Sequence, residues 1–100
     1  MSHVSHAHIE TERPGGRYLQ QLCKHFAHKL PVEFTPDLGR ISFPTGVCYL
    51  AAEGSMLRLN VLARNEMELV QLEDVVARHL ERFAFREPLA IQWVRTGAER

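Results

Sequence analysis

The stretch VEFTPDLGRISFPTGVCYLAAEGSMLRLNVLA, residues 32–63, decides the fold. Val32 to Thr35 and Arg40 to Phe43 are short β-prone runs, and Pro36-Asp37-Leu38-Gly39 between them has turn chemistry, so the pair reads as a hairpin. Pro44-Thr45-Gly46 and Glu53-Gly54-Ser55 are two further turns, and they bracket the apolar run Val47 to Ala52. Met56 to Ala63 then alternates, with Leu57, Leu59, Val61 and Ala63 on one side. Four short strands joined by tight turns make an antiparallel meander.

Outward from the meander the period changes. Upstream, Tyr18 to Leu30 carries Leu19, Leu22, Phe26 and Leu30 at helical spacing, with a start no earlier than about Arg17 after Pro14-Gly15-Gly16 and a stop at Pro31. Before it, Ser5, Ala7 and Ile9 alternate with His6, His8 and Glu10, the pattern of a strand with a small apolar face. Downstream, Asn65 followed by Glu68 is a capping-box-like start to a second helix, whose stripe is Leu69, Leu72, Val76, Leu80 and Phe83. Leu89 to Val94 after Pro88 reads as a last strand. The order strand, helix, four strands, helix, strand predicts an α+β two-layer sandwich, a mainly antiparallel sheet with both helices on one face. Residues 1–100 are expected to form one domain, with 1–4 and 96–100 frayed.

Composition narrows the function classes. The chain has 100 residues, 12 basic and 12 acidic, and a formal charge of zero. Such a balance argues against a general nucleic-acid or membrane-surface binder, which is normally basic. The longest apolar run, Val47 to Ala52, is far short of the roughly 20 residues of a membrane helix. The polar beginning shows no signal-peptide pattern, and Cys23 and Cys48 read as reduced thiols, so the expected location is cytoplasmic.

Six histidines invite a metal assignment. On a helix at about 100° per residue, Cys23 and His25 project roughly 160° apart and cannot share an ion, whereas His25 and His28 are roughly 60° apart and can. Two ligands do not close a zinc site, so a third has to come from elsewhere, and His79 is the candidate. His79 falls on or beside the buried stripe of the second helix, between Val75 and Phe83. The plainer reading is that it bonds a backbone carbonyl, since most buried polar groups find a partner. His6 and His8 share one side of the first strand, most simply a solvated face; His3 belongs to the tail. Cys23 lies in the apolar stripe, which favours an inert thiol, and Cys48 stands beside Leu50. No nucleophile elbow, P-loop, dinucleotide fingerprint or zincin motif is present, and nothing in the chain requires an enzyme. A small enzyme pairing His79 with Cys23 or Cys48 is the weakest reading.

The first helix carries the charge signal. Between Arg13 and Val32 there is no acidic residue, while Arg13, Arg17, Lys24 and Lys29 give +4. Arg17, Lys24 and His28 project within about 40° of each other, opposite the apolar stripe. This is either a solvated face or a docking surface for an anion, an acidic protein face or nucleic acid, though a nucleic-acid reader usually adds exposed aromatics or a basic balance and neither is evident. Glu66, Glu68, Glu73 and Asp74 give the second helix a matching −4, so the two patches are expected to attract each other or a second copy.

Three blocks carry a family resemblance: Tyr18-Leu19-Gln20-Gln21-Leu22-Cys23-Lys24-His25-Phe26-Ala27-His28-Lys29, then Phe43-Pro44-Thr45-Gly46-Val47-Cys48, then His79-Leu80-Glu81-Arg82-Phe83-Ala84-Phe85-Arg86-Glu87 with Trp93 beyond. The chain from about Ile9 to Arg95 resembles the small bacterial family catalogued as domain of unknown function 2218. No activity is assigned to that family. Related domains occur joined to siderophore-interacting flavoproteins, so the resemblance implies an iron-acquisition setting, with such a flavoprotein or a ferric chelate as partner. It strengthens His25, His28 and His79 as ligand-site candidates, with iron or zinc as the metal if one binds and no resident cofactor otherwise expected. The resulting expectation is a non-enzymatic binding or accessory module whose ligand surface includes Arg17, Lys24, His25, His28 and His79. The alternative is a homodimer that pairs through the open sheet face or an edge, since Tyr49 alternates away from Cys48 and Leu50.

Overall fold

A computed structural model describes residues 3–96. The chain runs β1 (His3–Glu10), α1 (Gly15–Phe26), β2 (Val32–Phe34), β3 (Leu38–Phe43), β4 (Gly46–Glu53), β5 (Met56–Ala63), α2 (Glu66–Phe83) and β6 (Val94–Thr96). The six strands form one sheet in the order β2-β3-β4-β5-β1-β6, and every pairing is antiparallel. The predicted sandwich of two helices on one sheet is therefore the architecture observed, in the predicted element order.

Period-two alternation builds the core face. Register places Ser5 beside Val61, Ala7 beside Leu59 and Ile9 beside Leu57, then Cys48 and Leu50 across from Val61 and Leu59, with Ile41 next to Cys48. All of these are buried. Leu19, Leu22, Cys23 and Phe26 of α1 cover the β3–β4 side, and Leu69, Leu72, Val76 and Leu80 of α2 cover the β5–β1 side. The β4–β5 hairpin closes with Gly54 at φ +58°, a left-handed conformation that suits glycine.

Several boundaries differ from the sequence expectation. α1 begins at Gly15, not Arg17, because the Gly15 amide donates to the Gly54 carbonyl at 2.9 Å and seats the helix start on the β4–β5 turn. It ends at Phe26; the amides of Lys29 and Leu30 both bond back to the Phe26 carbonyl, so Ala27 to Lys29 form a turn before Pro31. β6 is Val94–Thr96, not Leu89–Val94. Leu89, Ile91 and Trp93 do pack against the core, but the ladder with β1 forms only at Val4–His6, and Pro88 has no N–H to extend one. His3 and Val4, expected to fray, are strand, paired with Ala63 and Leu62. Of the other expected frayed positions, Thr96 pairs with Val4, and residues 1, 2 and 97–100 lie outside the described ones. At α2 the cap forms as expected, with Asn65 Oδ1 accepting from the Glu68 amide at 2.9 Å.

Candidate functional site

The C-terminal end of α1 meets the last turns of α2 over Phe43, at the close of β3. His25, His28, Lys29, Leu30, Phe26, Phe43, Val75 and His79 line a slot of about 430 Å³ there, within the range of small-molecule seats. Its walls are aromatic. The Phe26 ring lies 5.2 Å from Phe43 and 4.8 Å from His79, and His25 lies 5.6 Å from Phe83.

Two imidazoles are in tilted ring contact on the slot's lining. The His25 and His79 ring centroids are 4.9 Å apart. His79 Nδ1 is 2.7 Å from the Val75 carbonyl, one helical turn back. A carbonyl only accepts, so Nδ1 donates in this bond and Nε2 is the ring nitrogen it leaves unengaged. Burial, then the neighbouring His79, His28, Arg82 and Lys29, hold His25 below the usual imidazole range. Among the described residues no carboxylate lines the slot.

Of the predicted site residues, the fold brings His25, His28 and His79 together and leaves two out. Arg17 and Lys24 are exposed on α1 and do not line the slot, because Lys24 projects about 100° from His25 around the helix. His28 leaves their row because the helix stops at Phe26 and the following turn carries it to the slot rim. The expected three-histidine metal set is corrected: among the described residues no three His, Cys, Asp or Glu side chains are grouped to hold one ion. The Cys–His reading fares no better. Cys23 and Cys48 are fully buried, and burial pushes the thiols up to about 11 and about 12, far from a neutral-pH nucleophile.

The expected attraction between a basic α1 and an acidic α2 is also corrected. The α2 carboxylates are taken locally: Glu68 by Arg64 at 2.7 Å, Asp74 by Arg78 at 3.0 Å, and Glu73 and Glu66 by Arg95 of β6 at 3.0 and 3.5 Å. Arg40 and Arg58 pair with Glu33 and Glu53 on the open sheet face. Among the described residues the cations left without an ion pair are Arg13, Arg17, Lys24, Lys29, Arg82 and Arg86, all on α1, its flanks or the end of α2. Of these, Lys29 lines the slot and Arg82 lies near His25, while Glu12, Glu81 and Glu87 stand on the same segments as the other free cations.

Two buried carboxylates were missed in the sequence. Glu87 accepts from the Tyr18 hydroxyl at 2.6 Å and from the Glu12 amide, tying the start of α1 to the end of the α2 turn. The Tyr18 hydroxyl, then the Glu12 amide, hold Glu87 below the usual carboxylate range, while burial and then Glu87 push Tyr18 up. Glu73 sits on the apolar stripe at four residues from Leu69, the one sequence signal for its burial.

The model of a family described as "Uncharacterized protein conserved in bacteria (DUF2218)" matches residues 6–94. The NMR structure of PA4090 from Pseudomonas aeruginosa superposes with a TM-score of 0.77 at 38% identity, covering 92% of this chain and 95% of that one. No curated protein matches the chain.

Proposed function

The chain belongs to this bacterial DUF2218 family, and from that premise we propose that it is a non-enzymatic binding module whose ligand seat is the slot between α1 and α2. The observation that carries the reading is the His25–His79 pair in ring contact beside Phe26 and Phe43, with Lys29 on the slot's lining and Arg82 near His25. Aromatic walls favour a flat ring, and the two cations favour negative charge. The ligand class is a planar aromatic anion. A catecholate arm of a ferric siderophore belongs to that class; it brings its own oxygen donors to the metal, so the histidines contact the chelate without coordinating iron. A siderophore-interacting flavoprotein then fits as the partner that delivers or reduces the chelate.

Titration of isotope-labelled protein with 2,3-dihydroxybenzoate, then with its diamagnetic gallium complex, tests the seat by NMR. Saturable shifts of the His25, His28 and His79 ring resonances support it. Unmoved rings at millimolar probe contradict it.

A second reading, self-association, has its own observation. The open sheet face carries exposed Leu38, Tyr49 and Val94 around Val4, Val47 and Leu62, and its arginines are paired internally. That face does not repel a copy of itself, whereas the cationic helix face does. Strands about 4.8 Å apart, about 27 Å long for β1, β4 and β5 and shorter for β2, β3 and β6, project to roughly 600 Å², approaching the roughly 800 Å² per partner of a stable dimer. Sedimentation equilibrium decides it: a dimer that Tyr49→Arg converts to monomer supports the reading, and a monomer at all concentrations removes it.

A further inference from the structure

We propose that an anionic ligand enters this slot together with a proton, taken up by the His25–His79 pair, so that binding strengthens as pH falls. The inference rests on the slot being the ligand seat and adds how that seat is regulated.

The slot disfavours a positive charge on His25, through burial and then the neighbouring His79, His28, Arg82 and Lys29. Facing the pair are His28 and Lys29 from the turn after α1 and Arg82 from α2, all cationic or protonatable, while β3 contributes only Phe43. With ring centres 4.9 Å apart, two imidazolium charges repel each other at a distance where the partly desolvated surroundings screen weakly. A carboxylate arriving beside the pair supplies a negative charge that none of the described lining residues provides. It converts an unfavourable imidazolium into one half of an ion pair, which raises the affinity of the ring for a proton. His79 is the restrained member, its Nδ1–H committed to Val75, so its Nε2 is the atom that accepts the proton and then donates to the ligand. His25 is the exposed member, through which solvent delivers the proton. By linkage, uptake of one proton on binding changes affinity about tenfold per pH unit on the alkaline side of the imidazole titration.

Isothermal titration with 2,3-dihydroxybenzoate, whose charge is constant from about pH 5.5 to pH 8 while imidazoles titrate, measures this directly. Comparing two buffers of different ionisation enthalpy counts the protons taken up. The expected result is close to one proton per ligand, with affinity rising about tenfold per unit of acidification above the imidazole range. His79→Gln is expected to flatten that slope and abolish most of the uptake. His25→Gln, at an exposed position that leaves the fold intact, is expected to bind with a slope reduced in the same sense. Binding at the slot with no proton uptake and a flat pH profile overturns the linkage while leaving the seat in place. No binding at any pH overturns the seat and the linkage together.

Discussion

Gly39 of β3 lies against Cys23 and Leu19 of α1, and Gly39→Ala tests the placement of the helix that carries His25. A β-carbon at Gly39 would lie 2.7 Å from Cys23 Sγ and 3.5 Å from both Leu19 Cδ2 and Leu50 Cδ1. Ordinary contact begins near 3.5–4.0 Å, so the sulfur must retreat by roughly 1 Å. It has nowhere to go, since Cys23, Leu19 and Leu50 are 0%, 0% and 2% exposed. Overpacking of this kind costs about 1–3 kcal/mol, and alanine recovers about 0.5–1 kcal/mol through lower chain entropy in a strand. The net expectation is a loss of about 1–2 kcal/mol, or roughly 5–15 °C in Tm for a domain of this length. Urea denaturation followed by Trp93 fluorescence reads it. Cys23→Ala in the same chain makes room for the new methyl, so the double variant should recover, with a coupling of about 1 kcal/mol or more. If Gly39→Ala is as stable as the parent, or Cys23→Ala does nothing to relieve it, α1 does not lie where this account puts it.

Three more expectations follow from the same geometry. Asn65→Ala removes the α2 cap and should cost about 0.5–2 kcal/mol, with Asn65→Asp retaining most of the stability in thermal melts. His25 binds a proton less readily folded than unfolded, so its contribution is full above the ordinary imidazole value near 6.5 and is lost as pH falls through it toward the lowered folded value. His25→Gln should therefore melt with a shallower fall in stability across that acidic window than the parent, and an unchanged fall would remove His25 as its source. Both thiols should label with a disulfide reagent only after denaturation, their values of about 11 and about 12 leaving little thiolate at neutral pH; fast labelling of the native protein would contradict their burial.

The sheet and both helices were legible because their signals are local. Ser5, Ala7 and Ile9, or Leu57, Leu59 and Val61, fix a face by alternation alone, and Asn65 with Glu68 marks a helix start in four residues. Turn residues did the same for the meander. The helix and strand ends were less legible because they depend on distant partners: Gly15 on the Gly54 carbonyl, and β6 on the edge that β1 offers. The site was half legible. A helical wheel placed His25 near His28 and put His79 beside a buried stripe, yet it grouped Arg17 and Lys24 with them by continuing α1 past Phe26. The ion pairing was read least well. Arg95 reaches Glu73 across 22 residues and Glu87 reaches Tyr18 across 69, and no local pattern encodes such pairings. Arg95 takes Glu66 and Glu73 of the acidic patch on α2, and Arg64 and Arg78 take Glu68 and Asp74.

The central claim is that a planar aromatic anion seats in the slot against His25 and His79. Intermolecular nuclear Overhauser effects between 2,3-dihydroxybenzoate and the labelled protein test it most directly. The account predicts contacts from the probe ring to the His25 and His79 ring protons and to Phe43, and none to Tyr49 or Leu38 on the open sheet face. Contacts confined to Tyr49 and Leu38, or to no part of the molecule, would contradict it.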